Sequence, residues 1–153
     1  MKQIASFTVN HDKLEKGMYI SRIDGDVVTY DIRMKKPNGG DYLANGALHT
    51  FEHLFATYAR NSRFTDDVVY VGPMGCRTGF YLLLRGEMSS EEIVPLVLRC
   101  FEFIRDYRGE VPGASAKDCG NYLDMNLPMA NYWGERYSAL LEHITPDRLT
   151  YPE

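Results

Sequence analysis

Apolar and polar residues alternate with a period of two in several short stretches of the chain, which is the pattern of strands that bury one face. Residues 19–24 and 27–34 alternate in this way and are joined through Asp24-Gly25, a favoured hairpin dipeptide. The turn residues of 72–77 predict an irregular loop between two later strands. The complete set of predicted strands is residues 4–9, 19–24, 27–34, 68–71 and 79–84.

A helical pattern of apolar residues covers residues 46–62, with no proline or glycine inside it. Its apolar positions are Leu48, Phe51, Leu54, Phe55 and Tyr58. A second predicted helix, residues 89–107, opens on a sequence typical of a capping box, with Ser89 three residues before Glu92. We predict two further helices at residues 115–123 and 129–143.

The order of these elements favours one fold class. Strands gather around a few long helices without the regular β–α–β alternation of a doubly wound parallel sheet. We therefore predict an α+β fold of two layers, an antiparallel β-sheet packed against α-helices. The 153 residues are enough for one domain with a buried core, and we expect that domain to span residues 1–153.

Charge and composition narrow the classes of function. The net charge is −4, and the basic residues are interspersed with acids instead of clustered, which argues against a nucleic-acid partner. No apolar run reaches the roughly 20 residues of a membrane span, and residues 1–10 do not have the pattern of a signal peptide. We expect a cytoplasmic protein. Its three cysteines are an odd number at wide spacing, so free thiols are expected instead of disulfides.

Two histidines in the first predicted helix indicate a metal site. His49 and His53 are four residues apart, one helical turn, so both imidazoles can bind one ion. Glu52 completes a His-x-x-Glu-His pattern, which is also the inverted zinc-peptidase motif, where the glutamate activates metal-bound water. The motif therefore indicates a metal better than it indicates a reaction. The competing interpretation is a pair of ordinary histidines on an amphipathic helix.

The cysteines differ in what their surroundings predict. Cys119 lies near the start of the predicted helix 115–123, where the positive end of the helix dipole favours the thiolate that a metal needs. Cys76 lies in a glycine-rich turn, where Arg77 could stabilise a nearby thiolate, and such a thiolate could move protons. Cys100 falls on the apolar side of the second helix and is expected to be buried without a function. Read alone, Cys119 is more often a small buried side chain, and Cys76 a turn residue with no role.

Several motifs together resemble one family. These occur in order between residues 4 and 125: Ser6-Phe7 with His11, Asp31-Ile32-Arg33, His49-Thr50-Phe51-Glu52-His53-Leu54-Phe55-Ala56, Pro73-Met74-Gly75-Cys76-Arg77-Thr78-Gly79-Phe80-Tyr81 and Lys117-Asp118-Cys119-Gly120. In content, order and spacing they resemble the S-ribosylhomocysteine lyase (LuxS) family. Chain length also agrees.

The resemblance implies a reaction and a cofactor. It implies cleavage of S-ribosyl-L-homocysteine to L-homocysteine and 4,5-dihydroxy-2,3-pentanedione, the precursor of the quorum-sensing signal autoinducer-2, by internal isomerisation followed by β-elimination. One divalent ion per subunit, Fe²⁺ with Zn²⁺ as a common substitute, is expected on His49, His53 and Cys119. A Lewis acid suits a reaction that moves a carbonyl along a sugar chain.

The resemblance also implies roles for other residues. Cys76 is expected to be the general acid–base and Glu52 the second acid–base of the later steps. Ser6, His11 and Arg33 are expected to line the substrate pocket. Family members are homodimers with their active sites at the interface, where the N-terminal residues of one subunit help to complete the pocket of the other.

Tyr70 departs from the family pattern. The family usually has an aspartate six residues before the acid–base cysteine, in a strand that ends Asp-x-Ser-Pro, whereas this chain has Tyr70-Val71-Gly72-Pro73. That aspartate is expected to bind the ammonium group of the homocysteine part. Two alternatives to the lyase are therefore kept: a metal-dependent hydrolase or peptidase in which Glu52 activates water, and a non-catalytic homologue.

Overall fold

The computed structural model, which describes residues 1–153, contains one antiparallel sheet of four strands. The strands are β1 (Gly17–Asp24), β2 (Val27–Arg33), β3 (Val68–Pro73) and β4 (Gly79–Arg85), and they lie in the order β1-β2-β4-β3. Asp24 pairs with Val27, so the first hairpin has a two-residue loop. Gly25 occupies that loop with a φ of +62°, a conformation that costs glycine little.

Three α-helices accompany the sheet: α1 (Asn45–Arg60), α2 (Ser90–Asp106) and α3 (Leu127–Glu142). Short 3₁₀ helices cover Ala5–Phe7, Thr65–Asp67 and Pro146–Arg148. The expected capping box is present at the start of α2, where the Ser89 hydroxyl accepts from the Glu92 amide and the Glu92 carboxylate accepts from the Ser89 amide. The predicted two-layer α+β fold is confirmed. None of the helices combines the length and the apolar character needed to cross a membrane.

The core lies between the helices and one face of the sheet. On β2 the alternate residues Val28, Tyr30 and Ile32 are buried in it. Its centre is a group of aromatic rings whose centroids lie 4.8 to 6.3 Å apart, formed by Phe51, Phe55, Phe80 and Phe101. Because α1 and β4 both contribute to this group, the position of α1 on the sheet is fixed by packing.

The other face of the sheet is polar and aromatic. The register places Asp31 of β2 directly opposite Tyr19 of β1 and Tyr81 of β4. Tyr151, near the C-terminus, stacks on Tyr19 with ring centroids 5.0 Å apart and so covers part of this face. The buried Asp31 and Arg33 are therefore not core residues in the ordinary sense, because they lie under the C-terminal segment.

Two predicted elements are wrong. Residues 4–9 form no strand, because none of the four strands pairs with them; Ala5–Phe7 is a 3₁₀ helix, and the Thr8 amide and hydroxyl both bind the Ala5 carbonyl. Residues 115–123 form consecutive turns instead of a helix. There the amides of Asp118 and Cys119 both donate to the Ser115 carbonyl, and no further bond between residues four apart follows, so only one isolated turn forms.

Replacement of Phe101 tests the aromatic centre of the core. Phe101 is fully buried against Phe51, Phe55 and Tyr137, so we expect Phe101→Ala to lower the free energy of unfolding by about 3–5 kcal/mol. The matched control is Phe103→Ala, two residues along the same helix, where the ring is only partly buried and the loss should be clearly smaller. Urea denaturation measures both, and equal losses would contradict this description of the core.

Candidate metal centre and active site

One face of α1 presents the two predicted metal-binding histidines. The rings of His49 and His53 lie with centroids 4.8 Å apart, and their Nε2 atoms are 3.1 Å apart. The aromatic core on the other side of α1 holds this face outward, because Phe51 and Phe55 alternate with the histidines along the helix. The helical spacing read from the sequence therefore produces the expected approach of the two imidazoles.

Backbone carbonyls fix which ring nitrogens face each other. His49 Nδ1 lies 3.0 Å from the carbonyl oxygen of Asp124, and His53 Nδ1 lies 2.7 Å from that of Pro112. A carbonyl only accepts, so each Nδ1 carries the hydrogen and each Nε2 of a neutral ring presents a lone pair. Two lone pairs directed at each other are unfavourable unless a proton or cation lies between them.

Cys119 supplies a third donor to the same point. Its Sγ lies 3.4 Å from His49 Nε2, and the three donor atoms all lie within 4.8 Å of one another. Around a tetrahedral zinc-type ion the expected separations are about 3.3 Å for two nitrogens and about 3.6 Å for nitrogen and sulfur. The shortest contacts match these values, so the residues fit a divalent metal ion.

The thiol of Cys119 has a different environment from the one we predicted. The segment is a turn and not a helix, so no helix dipole acts on Cys119. Instead the Asn121 amide donates to Sγ over 3.5 Å. This backbone donor fixes the position of Sγ, and it arises from a turn whose conformation the sequence did not reveal.

The loop that carries Cys119 is attached to the first turns of α1. The Asn126 amide donates to Thr50 Oγ1 over 2.7 Å, and that hydroxyl donates to the Gly46 carbonyl, also over 2.7 Å. A Cβ at position 46 would lie 3.3 Å from the Asn126 side chain, so glycine permits this close approach. These contacts fix the positions of the Cys119 thiol and the Asp124 carbonyl relative to the histidines of α1.

Glu52 lies beside the metal residues but is not one of them. It is partly buried on α1, and its carboxylate has no hydrogen bond or ion pair within the chain. On a helix it is three residues from His49, which places it near the same face. An unengaged carboxylate at this position is free to accept or donate a proton.

Cys76 belongs to a second group of polar residues. It lies exposed in the turn between β3 and β4, and its Sγ is 3.0 Å from Thr78 Oγ1. Arg33 Nη1 donates to the same hydroxyl over 2.8 Å. Arg77, which we expected to act on this thiol, has its guanidinium near the Leu43 carbonyl at 3.4 Å instead.

A buried ion pair extends the Cys76 group under the sheet. Arg33 Nη2 lies 2.6 Å from Asp31 Oδ2, and both side chains are almost completely buried. The Tyr151 hydroxyl donates to the same oxygen over 2.7 Å. Burial opposes the charged form of Arg33, but the Asp31 charge and hydrogen bond outweigh it and raise the pKa of Arg33. Burial, and next the Asp31 charge, raise the pKa of Tyr151.

Sequence reasoning missed Asp31, Thr78 and Tyr151 as members of this group. Asp31 and Arg33 are two residues apart in an apolar strand. Because side chains alternate between the faces of a strand, this spacing indicates that both lie on the face opposite the core. Tyr151 gave no signal, because it reaches Asp31 from 120 residues away.

One backbone hydrogen bond attaches the Cys76 turn to the segment just before α1. The Leu43 amide donates to the Arg77 carbonyl over 3.0 Å, which attaches the Cys76 turn to a residue two positions before the first residue of α1. Ser6 and His11, the other predicted substrate-binding residues, are not bonded to either group. Ser6 is exposed, and His11 Nδ1 lies 2.9 Å from the Val9 carbonyl.

Tyr70 and Gly72 are coupled by their geometry. The ring of Tyr70 lies across Gly72 and occupies the space that a Cβ at position 72 would need. The family pattern Asp-x-Ser-Pro differs here at both positions, and a serine at position 72 would require the Tyr70 ring to move. Tyr70 remains 53% exposed on the polar face of the sheet.

Comparison with known proteins gives a consistent result. Residues 4–146 match the family described as S-ribosylhomocysteinase (LuxS). A protein of Clostridium acetobutylicum named S-ribosylhomocysteine lyase is 59% identical over 158 aligned positions, with 100% of both chains covered. Proteins with the same name from Phocaeicola vulgatus and Clostridium beijerinckii are 54% and 51% identical, with at least 98% of each chain covered.

Gly113 offers a test of the metal centre through the imidazole that it contacts. Its φ is +72°, and a Cβ there would lie 3.3 Å from His53 Nδ1, the atom that binds the Pro112 carbonyl. We expect Gly113→Ala to displace this ring and to weaken Zn²⁺ binding about 10- to 100-fold, the usual effect of disturbing a ligand's partner. Competition with a chromogenic chelator measures the affinity.

Gly109→Ala is the matched control for Gly113→Ala. Gly109 also has a positive φ, +104°, but a Cβ there meets nothing within 4 Å. Both variants bear the backbone strain, and only Gly113→Ala should lose zinc affinity. Equal losses would mean that loop strain, and not the His53 contact, governs binding.

Proposed function

Because the chain belongs to the S-ribosylhomocysteinase (LuxS) family, we propose that its metal group and its Cys76 group are the two halves of one lyase active site. The activity is that of an S-ribosylhomocysteine lyase, a carbon–sulfur lyase that forms the precursor of a quorum-sensing signal. The observation that carries this conclusion is the full-length identity of 51% to 59% with proteins of that name. We further propose that residues 1–153 act as one such domain.

We assign the metal to His49, His53 and Cys119. The converging Nε2 lone pairs and the thiol at 3.4 Å support this assignment. A divalent cation held there supplies a Lewis acid for the sugar oxygens of the substrate. Two imidazoles and one thiolate suit either Fe²⁺ or Zn²⁺, and we propose Fe²⁺, one per subunit, as the native ion with Zn²⁺ as a substitute.

We assign the proton transfers to Cys76 and Glu52. Cys76 is exposed, so substrate can reach it, and the hydrogen bond with Thr78 holds its sulfur in place. As a thiolate it removes a proton from one sugar carbon and returns it to the next. The unengaged carboxylate of Glu52 serves the later proton transfers and the elimination. Ser6, His11 and Arg33 are proposed to line the substrate pocket.

The alternatives are less well supported. A hydrolase that uses Glu52 to activate water has no use for Cys76 and the buried polar group behind it, and the matched relatives are named as lyases. A non-catalytic homologue was suggested by Tyr70. That alternative is weakened by the relatives of 51% to 59% identity, which are all named as lyases.

The exposed N-terminal segment supports a homodimer. Ile4 and Phe7 are large apolar residues that are 55% and 68% exposed, and the predicted pocket residue Ser6 lies between them without a partner. We propose that a second copy of the chain covers this segment and that Ser6 then reaches the partner's pocket. Cys76 and Cys119 must remain reduced to act, so we also propose a cytoplasmic location.

Thiol release from S-ribosyl-L-homocysteine tests the lyase assignment. With Fe²⁺-loaded protein prepared without oxygen, we expect release of homocysteine that stops after chelation and falls at least about 100-fold in Cys76→Ala, which loses the acid–base group. Cys100→Ala is the matched control, because that thiol is fully buried away from the site. A thiol reagent follows the reaction.

Three outcomes would count against these assignments. Undiminished release by Cys76→Ala with bound metal would exclude the acid–base role of Cys76. Faster release with Zn²⁺ than with Fe²⁺ would exclude iron as the preferred ion. No release from metal-loaded unsubstituted protein would mean that the substrate is a different one.

Sedimentation velocity tests the homodimer. We expect a mass twice the 17.5 kDa of the chain, and a shift towards the monomer in Phe7→Ser, which removes the most exposed ring of the N-terminal segment. Tyr132→Ser, which changes an exposed ring on α3, should leave the mass unchanged. A monomer at micromolar concentration would contradict the proposal.

A further inference from the structure

We propose that Thr78 is a positioning residue for the lyase reaction, which donates its hydroxyl hydrogen to the thiolate of Cys76. The proposal rests on the acid–base function proposed for Cys76. It concerns one atom, Thr78 Oγ1, which lies 3.0 Å from Cys76 Sγ and 2.8 Å from Arg33 Nη1. Thr78 itself is only 2% exposed, so its hydroxyl is shielded from bulk water although Cys76 is exposed.

The arginine takes one lone pair of the Thr78 hydroxyl oxygen and cannot accept its hydrogen. A guanidinium has donors and no acceptor, so Arg33 must donate to Thr78 Oγ1. The single hydrogen of that hydroxyl is then left for another acceptor. Two sulfur atoms are within reach, Cys76 Sγ at 3.0 Å and the thioether of Met74 at 3.8 Å. A thiolate is charged and closer, so it is the preferred acceptor.

The arginine is itself held in one orientation. Its other terminal nitrogen binds Asp31 Oδ2 over 2.6 Å, and the Tyr151 hydroxyl donates to the same oxygen. Arg33 is 3% exposed and cannot turn towards solvent. The chain Tyr151, Asp31, Arg33 and Thr78 thus ends in a hydroxyl directed at Cys76, which gives the C-terminal segment a part in the site.

The charged groups around Cys76 also favour a thiolate that accepts from Thr78. Arg33 is the buried cation that faces the turn, and the Asp31 carboxylate lies behind it, farther along the hydrogen-bonded chain. Tyr81, on the neighbouring strand, interacts with both members of this pair. Burial and then the Asp31 charge raise its pKa, so Tyr81 remains neutral near neutral pH. The Arg77 guanidinium lies 3.4 Å from the Leu43 carbonyl, so Arg33 is the cation that is hydrogen-bonded to this group.

Alkylation of Cys76 by iodoacetamide tests the proposal without requiring turnover. Peptide mapping by mass spectrometry isolates the rate at Cys76 in metal-loaded protein, and the rate is measured across pH because only the thiolate reacts. In Thr78→Val we expect the rate at neutral pH to fall about 10- to 100-fold, the effect of losing a hydrogen bond to a charged group. The midpoint should move to higher pH and the alkaline plateau should be retained.

Two further variants make the result specific. Thr78→Ser keeps the hydroxyl and should restore a profile close to that of the unsubstituted chain. Thr29→Val removes a buried hydroxyl from the same face of the sheet, outside the chain of bonds, and should not move the midpoint. If Thr78→Val does not fold, the comparison of Thr78→Ala with Thr78→Ser takes its place.

A Thr78→Val profile that coincides with that of the unsubstituted protein would overturn the proposal. A lower plateau at an unchanged midpoint would do so too, since it reports access and not thiolate stability. Failure of the lyase assignment is seen separately, as absent thiol release from the unsubstituted chain.

Discussion

The carbonyl oxygens of Pro112 and Asp124 are the constraint on which the metal centre depends. By accepting from the Nδ1 atoms of His53 and His49, they direct both Nε2 lone pairs to one point, 3.1 Å apart. That arrangement is repulsive until a proton or a cation lies between the nitrogens, and a metal ion satisfies both lone pairs at once. Both carbonyls belong to the loop that also carries Cys119, the third donor. The metal affinity therefore depends on the conformation of that loop.

The two faces of the sheet have different functions: one packs in the core and the other carries polar residues of the candidate site. One face of β2 contributes Val28 and Ile32 to the core, and the other contributes Asp31 and Arg33 to the group behind Cys76. A buried ion pair adds little net stability, because removing two charges from water costs about as much as their attraction returns. Its presence under the C-terminal segment is better explained by the orientation that it gives to the residues of the Cys76 turn.

Local patterns were enough to predict several features correctly. The hairpin around Gly25, the capping box at Ser89 and helix α1 all follow from interactions between residues close in sequence, and each is present. The selection of His49 and His53 belongs to the same class, because helical geometry alone brings residues four apart together. Their role as ligands, and that of Cys119, remains a prediction, supported by the convergence of the three donor atoms.

The sequence by itself determined the fold class, the helix that carries the imidazoles and the resemblance to one enzyme family. Only the tertiary structure decided that Cys119 approaches from a turn instead of a helix, that Gly72 accommodates the Tyr70 ring, and that Tyr151 reaches Asp31 across 120 residues. The reason is physical. Secondary structure follows from short-range periodicity, whereas hydrogen bonds between distant segments depend on how the packed core positions them, and no local pattern encodes that position.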